Sequence, residues 1–226
     1  MAQGIFITGT DTGCGKTEIT LGLMHRLQQT GRLVLGMKPV ASGCDSTAEG
    51  LRNPDALRIQ QQCSLMIPYD LVNPFAFAPA IAPHLAAAQA GEPIRVERIL
   101  TSYDELADRS DCLLVEGLGG WRVPLGPHLT LPDLVRAMDL PVILVVGLRL
   151  GCLNHALLTQ ESILHAGLEL RGWIANQIDP HMQAREENLE TLRSWLYAPC
   201  LGVVPYLEQP SPERIGQYLE EWNKTI

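Results

Sequence analysis

The sequence lacks an excess of positive charge and any long apolar run. Its 226 residues carry 17 Lys and Arg against 25 Asp and Glu, which gives a formal net charge of −8. Because nucleic acid is itself a polyanion, this balance argues against a nucleic-acid partner. No apolar run reaches the roughly 18 residues that a membrane span needs, and there is no N-terminal signal pattern. We therefore expect no membrane partner and a cytoplasmic location.

Paired cysteines and clustered histidines are also missing. None of the six cysteines belongs to a CxxC pair, and the six histidines show no metal-ligand spacing. Cysteines scattered in this way indicate reduced, mostly buried thiols rather than a disulfide framework. The pattern also gives no support to a zinc site.

Lysine is scarce, which draws attention to where the few lysines lie. The chain has only Lys16, Lys38 and Lys224, while the other fourteen basic residues are arginines. Lys16 falls in a glycine-rich turn, and Lys38 ends a predicted strand at residues 33–38. The carboxyl ends of parallel strands share one edge of a sheet, where ligands bind. Two lysines there predict a site for concentrated negative charge, although Lys38 could also be an ordinary strand-end cation.

The glycine-rich turn is GTDTGCGKT, residues 9–17. It follows an apolar strand at residues 4–8 and precedes a run with helical apolar spacing, which is the layout of a phosphate-binding loop. Gly13 and Gly15 allow the backbone to wrap closely around an anion, next to the positive end of a helix dipole. The pattern predicts that Lys16 reaches the β- and γ-phosphates and that the Thr17 hydroxyl ligates Mg²⁺.

The loop departs from the general pattern in its spacing. Five residues separate Gly9 from Gly15, where the usual loop has four before Gly-Lys. Cys14 lies inside the loop, a position that could lower the pKa of its thiol.

Strands and helices are predicted to alternate along the rest of the chain. Most strands are apolar on both faces, which indicates an α/β fold with a mostly parallel central sheet and helices on both of its faces. With no linker or internal repeat, we expect one domain over residues 1–226. Further strands are predicted at residues 112–117, 141–146, 171–176 and 201–205. Further helices are predicted at residues 54–62, 94–109, 131–138, 153–165 and 183–197, together with a terminal helix that places Ile215, Leu219 and Trp222 on one face.

Two acidic residues are candidate metal ligands. Glu116 ends the strand at residues 112–117, where an acid beside a phosphate loop can hold Mg²⁺; the alternative is a charged strand cap. Asp55 starts a predicted helix, so it is either a metal ligand or a charge that favours the helix N-terminus. Residues 74–93 form an apolar insertion with a short helix from Pro83, which is either a substrate wall or a plain structural excursion.

Seven segments together resemble the dethiobiotin synthetase family, in its order and spacing over nearly the whole chain. They are GTDTGCGKT (9–17), KPVASG (38–43), GLRNPDAL (50–57), VEGLGGW (115–121), PVILVVG (141–147), LGCLNHALLT (150–159) and GWIANQ (172–177). The five-residue gap in the loop is this family's own form. The resemblance implies a P-loop NTPase-like fold and a homodimeric ligase of biotin biosynthesis.

The activity implied by this resemblance uses ATP, Mg²⁺ and CO₂ to close a ureido ring on 7,8-diaminopelargonic acid. One amine forms an N-carbamate, the carbamate oxygen attacks the γ-phosphate, and the second amine closes the ring on the resulting carbamic–phosphoric mixed anhydride. Such chemistry needs mainly alignment and charge stabilisation.

The resemblance also assigns roles to residues of this chain. Catalysis falls to Lys16 and Lys38, and Mg²⁺ binding to Thr17, Asp55 and Glu116. Substrate contacts fall to Thr12, Ser42 and the segment Gly151, Cys152, Leu153 and Asn154, which would serve the partner subunit. Nucleotide contacts fall to Gly13, Cys14, Gly15, Lys16, Thr17, Glu18, Asp55, Glu116, Gly117, Leu118, Gly119, Asn176, Gln177, Pro205, Tyr206 and Leu207.

Two departures from the family pattern stand out. The family often has an acid after the Pro-aromatic-Leu segment; here the candidates are Glu208 and Glu213, and the sequence does not decide between them. Leu118 replaces a smaller residue in the glycine turn, which we expect to alter packing more than chemistry.

Two other functions share the phosphate loop. Related ATP-dependent amidating enzymes, such as those acting on cobyrinic acid, usually carry a glutaminase domain, for which 226 residues leave no room. A switch ATPase like the partitioning and cell-division ATPases would carry an extra lysine near the start of the loop, where Thr10 and Asp11 stand here.

Overall fold

A computed structural model describes residues 3–219 of the chain. Its strands are β1 (Gln3–Gly9), β2 (Val34–Met37), β3 (Val40–Ser42), β4 (Asp45–Thr47), β5 (Gly50–Arg52), β6 (Phe75–Phe77), β7 (Cys112–Glu116), β8 (Val142–Leu148), β9 (Leu170–Gln177) and β10 (Cys200–Val204). Its helices are α1 (Lys16–Gln28), α2 (Pro54–Gln62), α3 (Tyr69–Val72), α4 (Pro83–Ala90), α5 (Val96–Ala107), α6 (Leu131–Met138), α7 (Cys152–His165), α8 (Arg185–Trp195) and α9 (Pro212–Gly216).

A six-stranded sheet in the order β10-β9-β8-β1-β7-β2 organises the fold, and its neighbouring strands are all parallel. Both faces of the inner strands β7 and β8 are buried, which explains their nearly unbroken apolar sequences. Because β1 lies between β7 and β8, the residues that follow these strands meet at one edge. The predicted α/β fold is confirmed.

Helices cover both faces of the sheet. The crossover from β1 to β2 runs in the opposite direction from the crossover from β8 to β9, so right-handed connections place α1 and α7 on opposite faces. Helix α1 packs against α2 and α9, while α5 contacts α6 and α7 contacts α8. No helix within residues 3–219 is long and apolar enough to cross a membrane.

Several short elements were not predicted. Strand β3 pairs in parallel with β6, inside the 74–93 insertion, and β4 pairs with β5 in an antiparallel hairpin. Each of these strands has only three residues, too few to show a period of two.

The ends of some predicted elements also shift. Strand β2 ends at Met37, so Lys38 follows the strand instead of ending it. In the last helix Ile215 is buried as expected, but that helix ends at Gly216, and Trp222 lies outside the described residues.

Helix α2 begins where the sequence provides a cap. The Asn53 side chain accepts a hydrogen bond from the Ala56 N–H at 3.1 Å, and Pro54 occupies the first helical position. This cap fixes the first turn of α2, which carries Asp55 toward the carboxyl edge of the sheet.

Candidate active site

The phosphate loop joins β1 to α1 in the expected way. Helix α1 begins at Lys16, and Gly15 adopts a left-handed conformation with φ 85°. A Cβ at Gly15 would also collide with the Asn176 amide, so both its backbone angle and its surroundings require glycine. No side chain caps this helix, which leaves the first-turn N–H groups available to an anion.

Lys16 ties the loop to the glycine turn after β7. Its ammonium donates hydrogen bonds to the backbone oxygens of Gly119 at 2.5 Å and Asp11 at 3.0 Å. The side chain is buried. Neutral carbonyl groups therefore hold the ammonium over the loop. A phosphate oxygen, which is a charged acceptor, could take their place.

Lys38 and the two candidate metal ligands form a compact charged cluster. The Lys38 Nζ lies 2.5 Å from Glu116 Oε1 and 3.1 Å from Asp55 Oδ2. Burial alone would lower the pKa of the Lys38 ammonium, but the charges of Glu116 and Asp55 outweigh burial and raise that pKa. Lys38 is thus a buried cation that stays charged.

The cluster also suits Mg²⁺. The Thr17 hydroxyl donates to Glu116 Oε1 at 2.9 Å, which brings a third oxygen beside the two carboxylates. Glu116 is fully buried, and its Oε2 atom has no hydrogen-bond partner among residues 3–219. Hard oxygen ligands with an unsatisfied buried carboxylate oxygen fit this ion. No group of three His, Cys, Asp or Glu within residues 3–219 offers another metal site.

A cavity of about 750 Å³ lies over this cluster and the loop. It brings together both catalytic candidates, all three candidate metal ligands, and the substrate candidates Thr12 and Ser42. Residues 80–83 of the insertion form part of its wall. The other lining residues are Gly13, Gly15, Glu18, Ala41, Asn53, Leu118, Gly119, Gly120 and Val123.

A second cavity of about 200 Å³ adjoins the first, since Gly15 and Glu18 line both. Its wall includes five more of the predicted nucleotide residues, namely Asn176, Gln177, Pro205, Tyr206 and Leu207. Neither Glu208 nor Glu213 lines either of these cavities.

Asn176 also has a structural role that was not predicted. Its amide nitrogen donates to the backbone oxygen of Cys14 at 2.9 Å, which braces the phosphate loop against β9.

Two predicted nucleotide residues, Cys14 and Gly117, line neither cavity. Cys14 is buried, and burial raises the pKa of its thiol above the usual value; the charge of Lys16 offsets this only in part. The expectation that the loop could lower this pKa is therefore wrong. All six cysteines are free, as expected.

The segment Gly151, Cys152, Leu153 and Asn154 lies apart from both cavities, at the start of α7. Gly151 is the N-cap with φ 95°, and Cys152 is buried. Just before it, Leu150 is 98% exposed, and Leu158 on the same helix is 56% exposed. This helix start presents apolar side chains outward.

Two ion pairs at the site were missed. Arg149, which follows β8, pairs with Asp11 of the phosphate loop, and Arg58 donates to both oxygens of Glu18 at 2.5 and 2.8 Å. The sequence did contain a signal for Arg149, which is its position directly after an apolar strand. Residues at that position lie at the carboxyl edge of the sheet, where ligands bind.

Solved structures of cell-division and partitioning ATPases share this fold. The MinC:MinD cell division protein complex of Aquifex aeolicus matches with a TM-score of 0.61 and 18% identity, over 99% of this chain and 94% of that one. A ParA family ATPase from Chlorobium tepidum matches with a TM-score of 0.58 and 12% identity, over 99% and 93%. At such identities the likeness concerns the fold alone.

Sequence relatives are much more similar. A family model described as an AAA domain matches residues 3–214. An ATP-dependent dethiobiotin synthetase of Pseudomonas aeruginosa is 55% identical over 95% of both chains, and that of Cellvibrio japonicus is 48% identical over 96% of both. With this identity over almost the full length, and with the phosphate loop and its neighbours in place, the chain belongs to the ATP-dependent dethiobiotin synthetase family.

Proposed function

We propose that this protein uses ATP to join CO₂ to 7,8-diaminopelargonic acid and close the ureido ring of dethiobiotin. The observation that carries the proposal is that Lys16 and Lys38, two of the chain's three lysines, line one cavity beside three oxygen ligands that suit Mg²⁺. A phosphoryl transfer to a carbamate needs this concentration of positive charge.

The proposed reaction has three steps. One amine adds to CO₂ and loses a proton to give a carbamate. A carbamate oxygen attacks the γ-phosphorus, and ADP leaves as the mixed anhydride forms. The second amine then attacks the carbamoyl carbon, so the ring closes, a proton is lost, and phosphate departs with the oxygen that linked it to carbon.

The two lysines have separate roles in these steps. Lys16, at the start of α1, steadies the γ-phosphate as charge moves to the leaving ADP. Lys38, which lines the same cavity, holds the carbamate and stabilises its developing charge. Thr12 and Ser42 also line this cavity and would bind the carbamate and diamine, and residues 80–83 supply an apolar wall.

Mg²⁺ would be held by Thr17, Asp55 and Glu116, where it would neutralise part of the charge of the phosphates.

Asp55→Asn removes one carboxylate charge and should weaken Mg²⁺-dependent ATP binding by about tenfold, the usual effect of one well-placed charge interaction. Titrating Mg²⁺ against ATP affinity by calorimetry measures this. Asp70→Asn, which removes an exposed charge from α3, is the control. An unchanged Mg²⁺ titration in Asp55→Asn would leave Asp55 only a helix-start residue.

The active unit in this proposal is a cytoplasmic homodimer of single-domain subunits. Leu150 beside Gly151 and Leu158 farther along α7 support it, since exposed apolar side chains favour burial by a partner. The first-turn N–H groups of α7 would then hold the carboxylate tail of the diamine bound to the other subunit.

Leu150→Glu should weaken dimerisation by roughly 100-fold or more, because a buried unpaired charge costs about 3 kcal/mol. Analytical ultracentrifugation measures the change. Met66→Glu is a matched control, since Met66 is 97% exposed and lies on another part of the surface. A Leu150→Glu variant that dimerises like the wild type would contradict this placement of the interface.

The function itself is tested by phosphate release from ATP with Mg²⁺ and bicarbonate. Release should require 7,8-diaminopelargonic acid and should match the dethiobiotin formed. Release that ignores the diamine would contradict the proposal and favour a switch ATPase.

A further inference from the structure

Lys38 occupies the position between the two carboxylates that are the candidate metal ligands. Its Nζ atom is within hydrogen-bonding distance of both Glu116 Oε1 and Asp55 Oδ2. Two cations this close would repel strongly in a buried site, where the screening by water is weak. The ammonium of Lys38 and a metal ion therefore compete for the same pair of carboxylates.

We propose that Lys38 is an exchangeable internal cation, which neutralises Asp55 and Glu116 and moves off them into the cavity when Mg²⁺ binds. This inference rests on the proposed metal role of the two carboxylates. It gives Lys38 a second role besides its contact with the carbamate, because its ammonium becomes free for substrate only after the metal site is filled.

The backbone around Lys38 is fixed, which confines the movement to its side chain. The Lys38 N–H donates to the Val72 oxygen at 2.8 Å, and the Lys38 carbonyl accepts from the buried Asn73 amide at 2.6 Å. The flexible four-carbon stem can carry the ammonium away from this anchor. Because Lys38 lines the 750 Å³ cavity, the ammonium has room to move.

Glu116 can pair with either the Lys38 ammonium or a metal ion. Its Oε1 atom accepts hydrogen bonds from both Lys38 and Thr17, while its buried Oε2 atom has no partner in the described part of the chain. A fully buried carboxylate needs a compensating charge at all times. The lysine meets that need through one oxygen and leaves the second available to an incoming metal ion.

The exchange predicts that removing Lys38 strengthens metal binding. Lys38→Gln should bind Mn²⁺ at least about tenfold more tightly than the wild type without nucleotide, since no ammonium has to be displaced. Electron paramagnetic resonance of Mn²⁺ measures this directly. Arg109→Gln, which loses the same charge at an exposed position on the surface, should leave Mn²⁺ affinity unchanged.

A second measurement follows Lys38 in the wild type. With ¹⁵N-labelled lysine, the chain has only three side-chain ammonium groups, and the Lys38 signal is identified by its loss in Lys38→Gln. Mg²⁺ should shift this signal as the ion pairs are released, and an unchanged signal at saturating Mg²⁺ would overturn the exchange.

Equal or weaker Mn²⁺ binding by a Lys38→Gln variant that circular dichroism shows to be folded would also overturn it. Ring closure by the wild type is assayed alongside. If dethiobiotin forms while Lys38→Gln shows no tightening, the exchange fails and the proposed function stands.

Discussion

Replacing Lys38 with glutamine should slow ring closure by about 10²–10³-fold, the usual loss when one preorganised charge-stabilising group is removed. The ammonium is buried and charged, and it lies at the edge of the cavity shared with the phosphate loop. Glutamine keeps much of the side-chain volume and can donate hydrogen bonds, but it carries no charge. The turnover number for dethiobiotin is the quantity to measure.

The loss in Lys38→Gln should occur without loss of the fold. Circular dichroism and thermal unfolding with Mg²⁺ check this, because the metal can neutralise the carboxylates that Lys38 leaves behind. Arg109→Gln should retain normal turnover. A Lys38→Gln variant with near-normal turnover would remove Lys38 from the catalytic set.

Lys16→Gln should reduce kcat/KM for ATP by about 10³-fold, because it removes the charge that reaches the phosphates at the start of α1. Within residues 3–219, Lys16 donates to two backbone carbonyls and to the Cys14 sulfur, so its loss leaves no carboxylate there without a partner. The effect should therefore fall on catalysis and nucleotide binding more than on stability.

Lys16→Arg separates the charge of Lys16 from its geometry. The guanidinium keeps the positive charge but is planar and larger than an ammonium. We expect it to retain some ATP binding, measured by calorimetry, while turnover stays low. Turnover by Lys16→Gln within about twofold of the wild type would contradict the role of the loop lysine.

Sequence patterns predicted the sheet and the site for a common reason. Strands buried on both faces leave long apolar runs, and the residues that follow such strands meet at one edge. Lys38 and Glu116 were expected at that edge because each ends a predicted strand. In the structure β2 and β7 are neighbours, and the two side chains are hydrogen-bonded there.

Other features depend on tertiary contacts that no local pattern records. The pairing of β3 with β6 joins residues about 35 positions apart through strands of only three residues. The bond from Lys16 to the Gly119 oxygen likewise depends on where the glycine turn packs.

The pKa of the Cys14 thiol is another property that the local sequence did not predict. Its place in a phosphate loop near Lys16 favours a lower thiol pKa, but its depth in the core raises that pKa, and burial is the larger effect. Depth could not be read from the local sequence.

In the proposed mechanism a carbamate oxygen attacks the γ-phosphate in the cavity that Lys16 and Lys38 line. The reaction can be run with ¹⁸O-labelled bicarbonate and the released phosphate analysed by mass spectrometry. We expect one oxygen of each phosphate released to come from the bicarbonate, in step with the dethiobiotin formed. Unlabelled phosphate accompanying labelled dethiobiotin would contradict it.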